Sequence, residues 1–292
     1  MSLLHIRHVT TYRYRTPVQL GEHRAMTRPR DSHDLRLLDT ALTIEPAASH
    51  VRWLHDVFGN SIAIVTFDAS AQTLTFTSDF RAEHYPAAPQ EIAIETYAES
   101  FPFSYSASDA EDLGRTKERH YPDPEHRVDD WARALLKQVR QAATLDALTA
   151  MTRAIKSTFK YRARDAEGVQ TPLETLERGS GSCRDFALFM MEAARSLGLA
   201  ARFVSGYLYD EQKIESGEKL VGGGSTHAWV QIYLAGAGWV EYDPTNALVG
   251  GRNLIRVAVT RDPSQAVPLS GSFTGAPDAY ESMAVKVEIT AE

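Results

Sequence analysis

The chain holds a single cysteine, Cys183, where a glycine/serine run (GSGS) gives way to an apolar helical pattern. A thiol in that place is a candidate nucleophile, because a helix N-terminus favours negative charge and hence the thiolate. The helix end contributes roughly 0.3–1 kcal/mol at an exposed position. At its low end that is well under one pKa unit, which is about 1.4 kcal/mol. A thiol nucleophile therefore needs a base beside it and a third group that orients the base. His227, after GGGST, and Asp243, in EYDPTN, supply those two types. Taken singly, each of the three reads as an ordinary packing, strand or turn residue. Together they stand in the order that a Cys-His-Asp triad would use.

The elements that must position them are legible as hydrophobic periods. Phe186, Phe189, Met190, Ala193, Ala194 and Leu197 recur at helical spacing after Cys183, and Gly198 ends the pattern. THAWVQIYL alternates, with Ala228, Val230, Ile232 and Leu234 on one face and His227, Trp229, Gln231 and Tyr233 on the other. LAGAG reads as a turn and GWVEYDPTN as the next strand, ended by Pro244. His227 and Asp243 share a face only if paired residue numbers sum to an even value. A two-residue Gly236-Ala237 loop puts the aspartate on the wrong face. A three- or five-residue loop gives a sum of 472 and makes the two residues diagonal neighbours, roughly 7–8 Å apart at the backbone. The longer loop is the expectation.

Around this set, Ser180 and Ser182 are candidate N-caps, and Asp185 complements the helix dipole. Arg184 is expected to face solvent or to pair locally, and Trp229 to pack or to wall a cleft. An oxyanion hole would use the Cys183 N–H and one side-chain donor, for which Gln170 and Tyr161 are candidates that no spacing places. EKLVGGGST reads as a glycine-rich loop at the cleft edge.

Residues 1–105 read as short strands with turn punctuation. In LLHIRHVTTYRY the even positions Leu4, Ile6, His8, Tyr12 and Tyr14 form one face, and Gly59-Asn60 suggests a tight turn between VRWLHDVF and SIAIVTF. A β-sandwich domain is expected there. Residues 106–125 are polar and proline-punctuated and read as a linker, with the remainder, 126–292, as a second unit. In it, helical stripes at Val128, Trp131, Leu135 and Val139 and at Leu145, Leu148, Ile155 and Phe159 precede the cysteine helix, and strands follow it. The order of strands, helices and strands argues α+β.

Gly-Ser-Cys-Arg-Asp-Phe, Thr-His-Ala-Trp-Val and Tyr-Asp-Pro-Thr resemble the three core motifs of the transglutaminase-like superfamily, in its bacterial cysteine-protease branch. YRYRTPVQLGEHRAMTRPR and HDVFGNSIAI resemble the β-domain that precedes the core in that branch. The resemblance implies a papain/transglutaminase-like core, with the nucleophile on a helix N-terminus packed against an antiparallel sheet. It further implies Cys183 as nucleophile, His227 as general base and acid, and Asp243 as orienter. Thiol-dependent hydrolysis or transamidation of peptide or glutamine-type amides through an acyl-thioester is the expected activity, with protein or peptide substrates. A catalytically silent binding or scaffold protein is the alternative.

The bulk properties narrow the field. The 292 residues are 43% hydrophobic and 24% charged, ordinary for a globular protein. A net charge of −7 offers no basic footprint, so neither nucleic acid nor a membrane is an expected partner. One cysteine forbids an internal disulfide, and MSLLHIRHVTTYRYR lacks a signal-peptide core, so a cytoplasmic location is expected. No EF-hand loop, HExxH, Walker or dinucleotide glycine pattern occurs, and no metal or cofactor is expected.

Overall fold

A computed structural model of the protein describes residues 2–85, 92–163, 168–209 and 224–291. The first strand, β1 (Ser2–Ala25), alternates as its sequence suggests. Leu4, Ile6, His8 and Tyr14 are buried, and Tyr12 is half-buried. It is joined by β2 (Leu35–Glu45), β3 (His50–His55), β4 (Ser61–Thr66) and β5 (Ser70–His84) in the order β2-β5-β1-β4-β3. The last two strands of the chain, β13 (Leu269–Thr274) and β14 (Tyr280–Ala291), also pair with β1.

All seven strands are joined through β1 into one hydrogen-bonded antiparallel sheet. Residues 269–291 belong to that sheet, so the second unit does not run unbroken to residue 292. The reason is reach: at 24 residues β1 has edge enough for β5 and β14 along one half and β13 and β4 along the other.

The loop between β3 and β4 differs too. His55 pairs with Ser61, leaving five residues between them in place of a two-residue turn. Asp56 organises that loop by accepting from the Phe58 and Asn60 N–H groups, each at 2.9 Å. Asn60 in turn exchanges hydrogen bonds with the Val259 backbone at 2.7 and 2.9 Å, tying the first sheet to the second unit.

The 106–125 segment is a docked connection. Ser106 caps a short helix, α1 (Ala107–Leu113), and the fully buried Glu192 carboxylate accepts from Arg119 and from the His120 and Tyr121 N–H groups. The helical stripes form α2 (Arg127–Leu136) and α3 (Thr144–Thr158). The two-residue strand β6 (Lys160–Tyr161), helix α4 (Pro172–Arg178) and strand β7 (Ser180–Gly181) lead into α5 (Cys183–Ser196). Then come β8 (Ala201–Leu208), β9 (His227–Leu234), β10 (Gly238–Asp243), β11 (Leu248–Val249) and β12 (Leu254–Thr260), an antiparallel sheet ordered β11-β10-β9-β8-β12.

Helix α5 lies against one face of this sheet, burying Phe186, Phe189 and Met190 with Val230, Ile232, Leu234 and Tyr242. At about 1.5–3 kcal/mol per large apolar side chain, this burial makes α5 a rigid platform. The opposite face meets the first sheet, where Tyr207, Tyr209, Ile255 and Val257 pack with Leu4, Ile6 and Phe80. Gly206 allows that sheet to close. A Cβ there would collide with the Ile255 carbonyl and the Trp229 indole.

Candidate active site

Cys183 is the first residue of α5 and is 8% exposed. Its approach is fixed by three layers of hydrogen bonding. Asp185, fully buried, accepts at Oδ2 from the Ser182 N–H (2.8 Å) and hydroxyl (2.9 Å), and at Oδ1 from the Gln170 N–H (2.7 Å). Asp185 is thus the clamp of the turn that delivers the thiol, a larger part than complementing the helix dipole. The Gln170 side chain donates Nε2–H to the Ser180 carbonyl (2.9 Å) and accepts from Arg178 (2.8 Å). Its amide is committed to holding the approach and is not offered to an oxyanion.

Tyr161 is the residue whose place the sequence left open. Strand β6 pairs in parallel with β7, setting Tyr161 opposite Gly181, two residues before the cysteine. Burial, and then charge on Cys183 nearby, push its hydroxyl up. The signal was a two-residue parallel pairing, too short for any periodicity.

His227 opens β9 and Asp243 closes β10. Gly238 pairs with Leu234 and Trp239 with Tyr233, a register sum of 472 across a three-residue loop, in which Gly236 sits at φ +91°. The residues are then diagonal same-face neighbours, and the side chains close the gap. His227 Nε2–H donates to Asp243 Oδ2 at 2.8 Å. Both are buried, His227 at 1% exposure and Asp243 at 0%. Asp243 accepts in addition from the Thr245 N–H (2.9 Å) and the Asn246 side-chain amide (2.8 Å).

This geometry assigns the two ring nitrogens. Nε2 faces the carboxylate, and among the described residues Nδ1 has no partner in hydrogen-bonding geometry. The Cys183 side chain is near enough to raise the ring's affinity for a proton. Burial would depress the imidazole, but the Asp243 charge and hydrogen bond, with a smaller part from Cys183, raise it to about 10. Asp243 shows the reciprocal effect: burial acts to raise it, and His227, Asn246 and the Thr245 N–H bring it below the ordinary carboxylate value. The structure therefore brings together all three residues singled out by type and order.

Of the neighbours, Trp229 packs, one of the two roles expected of it, and is fully buried. Its indole stacks on His227 at 27° and 6.0 Å between centroids, and donates its N–H to Glu241. Arg184 is packed over the Phe203 ring, 5.3 Å from its centroid, and donates to the Pro263 carbonyl at 2.9 Å. Of the EKLVGGGST loop, residues 218–223 lie outside the described residues. The Gly224 carbonyl accepts from the Val287 N–H of β14 at 2.9 Å.

Comparison with known proteins follows the same division of the chain. Residues 130–244 match the transglutaminase-like superfamily, and residues 4–83 match the bacterial transglutaminase-like N-terminal region. The chain belongs to the transglutaminase-like superfamily. An uncharacterised protein of Mycobacterium leprae is 27% identical over 291 residues, covering 99% of both chains. A crystal structure from Cytophaga hutchinsonii, named "Putative Cysteine Protease", shares the fold with TM-score 0.70 at 18% identity, over 99% of this chain and 90% of that one. A protein-glutamine gamma-glutamyltransferase of Pseudomonas aeruginosa is 35% identical over 138 residues, 45% of this chain and 20% of that protein.

Proposed function

We propose that the chain is a thiol-dependent, amide-directed acyl-transfer enzyme, a cysteine protease or amidase with transglutaminase-like acyl transfer as its alternative outcome. Cys183 is the nucleophile, His227 the general base and acid, and Asp243 the group that orients it. The observation that carries this reading is the buried 2.8 Å His227–Asp243 bond, beside a thiol at a helix start that itself raises the ring's affinity for a proton.

The chemistry runs as two displacements. The Cys183 thiol gives its proton to His227 Nδ1, and the sulfur bonds to the carbonyl carbon of a peptide or glutamine-type amide while the C=O π pair moves onto oxygen. Collapse breaks the C–N bond as the Nδ1 proton passes to the leaving amine, and an acyl-thioester remains. Water, or an amine in the transferase outcome, gives a proton to Nδ1 and adds to the thioester, and the sulfur departs as thiolate. The Cys183 N–H at the start of α5, which has no intrahelical acceptor, and the Tyr161 hydroxyl are the two donors we assign to the oxyanion.

The substrate class follows from the attacked group: a protein or peptide amide, resolved by water. The stretch shared with the Pseudomonas glutamyltransferase supports a carboxamide as the acyl donor. A single reduced thiol suits a cytoplasmic setting.

The test is acid-quenched mass spectrometry of the protein after incubation with peptide and glutamine-type amides, with and without an amine acceptor. An adduct on Cys183 that is absent in Cys183→Ala and cleaved by hydroxylamine is expected. The scaffold alternative wins if no adduct forms and iodoacetamide alkylates Cys183 with the same pH dependence in wild type and His227→Ala.

A further inference from the structure

The face of the core sheet turned away from α5 is incompletely covered by the first sheet. Between the two lies a cleft of about 690 Å³, a size and an interlobe setting usual for ligand sites. Its wall includes Arg30 and His33 from the first lobe and Arg202, Trp239, Glu241 and Arg256 from the sheet. An adjoining cavity of about 620 Å³ shares Phe58, Arg202 and Trp239 with it, so Arg202 stands where the two meet.

Most charge on this wall is mutually satisfied. The Glu241 carboxylate accepts from the Trp229 indole, from Gln231 at 2.6 Å and from Arg256 at 2.8 Å. Arg256 continues to Asp34 of the first lobe at 3.2 and 3.3 Å. Asp31 accepts from the Leu37 N–H at 2.6 Å.

Arg202 stands apart from this set. It donates Nε–H to Gln231 at 2.6 Å and lies over the Trp239 ring, 4.0 Å from its centroid. Among the described residues its terminal nitrogens have no acceptor and it has no carboxylate partner within ion-pair distance. Burial weighs against its charge more than the Glu241 field supports it, lowering the guanidinium to about 10. A guanidinium held by its Nε and its aromatic face presents the remaining fork to a pair of oxygens, the geometry that carboxylate and phosphate groups match. Arg30, exposed on the same wall, likewise lacks an acidic partner among the described residues.

We propose that this interlobe cleft is a binding site for the oxyanion group of a small molecule, a carboxylate or a phosphate. Arg202 is its fork, Trp239 the platform that aims the fork, and Arg30 a supporting charge. Neither Cys183 nor His227 lines this cleft, and its occupancy is read without any reference to catalysis.

The experiment is calorimetric titration of the full chain with inorganic phosphate and, separately, with succinate, at constant ionic strength set by chloride. Saturable binding of at least one anion is expected, and the anion that binds identifies the group. Arg202→Gln is expected to weaken it about tenfold or more, with Arg202→Lys between the two because the point charge survives and the fork does not. Arg30→Gln weakens it by less. Absence of saturable binding to the wild-type chain for both anions overturns the proposal. Equal affinity in wild type and Arg202→Gln also overturns it, as an adventitious ion only. If circular dichroism shows Arg202→Gln unfolded, Arg202→Lys and Arg30→Gln decide, and wild-type affinity in both overturns the site.

Discussion

Replacing Asp243 with asparagine keeps the shape of the side chain and removes the charge that sets His227's proton affinity. Burial acts to depress the imidazole, and Asp243, by charge and hydrogen bond, outweighs it, with Cys183 adding to the rise to about 10. Without the carboxylate, burial is opposed by Cys183 alone, and in a Cys183→Ala background it acts unopposed, so that His227 there titrates at or below its ordinary 6.5. At about pH 8 the protonated fraction then drops from nearly complete to a few per cent, a loss of ~30-fold in the group that the proposed mechanism uses as acid toward the leaving amine. Activity falls by at least that factor, and by up to ~10⁴ if the neutral ring also adopts the wrong tautomer.

The assay is NMR titration of His227 in a Cys183→Ala background, which removes the thiol's own contribution, with and without Asp243→Asn. Stability gives an independent reading. His227 is raised on folding, so its contribution is fully present below 6.5 and lost as pH climbs through about 10. Asp243 is lowered, so its contribution is present above 3.8 and lost as pH falls below that. The stability difference between wild type and variant, from urea unfolding, is therefore greatest between 3.8 and 6.5. A His227 that titrates within about half a unit of the same value in both proteins refutes the account, because the carboxylate would not be what holds the proton.

Tyr161→Phe is expected to lower kcat by about 10- to 100-fold with KM within about twofold, as for loss of an oxyanion donor; an unchanged kcat removes Tyr161 from the site. Asp185→Ala strands the buried Gln170 N–H and the half-buried Ser182 N–H and is expected to cost about 2–4 kcal/mol in urea unfolding, whereas a loss below about 1 kcal/mol means the turn is held by other contacts. Gly206→Ala is expected to cost about 2–3 kcal/mol by pressing a methyl group on the Ile255 carbonyl and Trp229, and a neutral result would mean that β12 shifts freely.

The sequence by itself determined the parts of the site that depend on local period. The apolar stripe from Phe186 to Leu197 set the helix and hence the first-turn position of Cys183. The alternation through Ala228, Val230, Ile232 and Leu234 set the face of His227, and parity then restricted the loop lengths that let Asp243 meet it. Those inferences hold because a side chain's face is a property of its own strand. Which strand lies alongside is a property of two, and there only the tertiary structure decided. MAVKVEIT, residues 283–290, reads as a strand, yet nothing in it names β1 as partner, so the sheet could not be divided correctly from the chain order.

The same limit applies to single contacts made across large sequence separations. Asn60 bonding Val259, Tyr161 brought beside the thiol by a two-residue parallel pairing, and Arg256 joining Glu241 to Asp34 leave no periodic trace. The choice of His227 nitrogen belongs here too, since it depends on where the ring plane lies between Asp243 and Cys183. Residue types and spacing named the three groups; the packing of α5 against β9 and β10 set the distance and direction through which they can act.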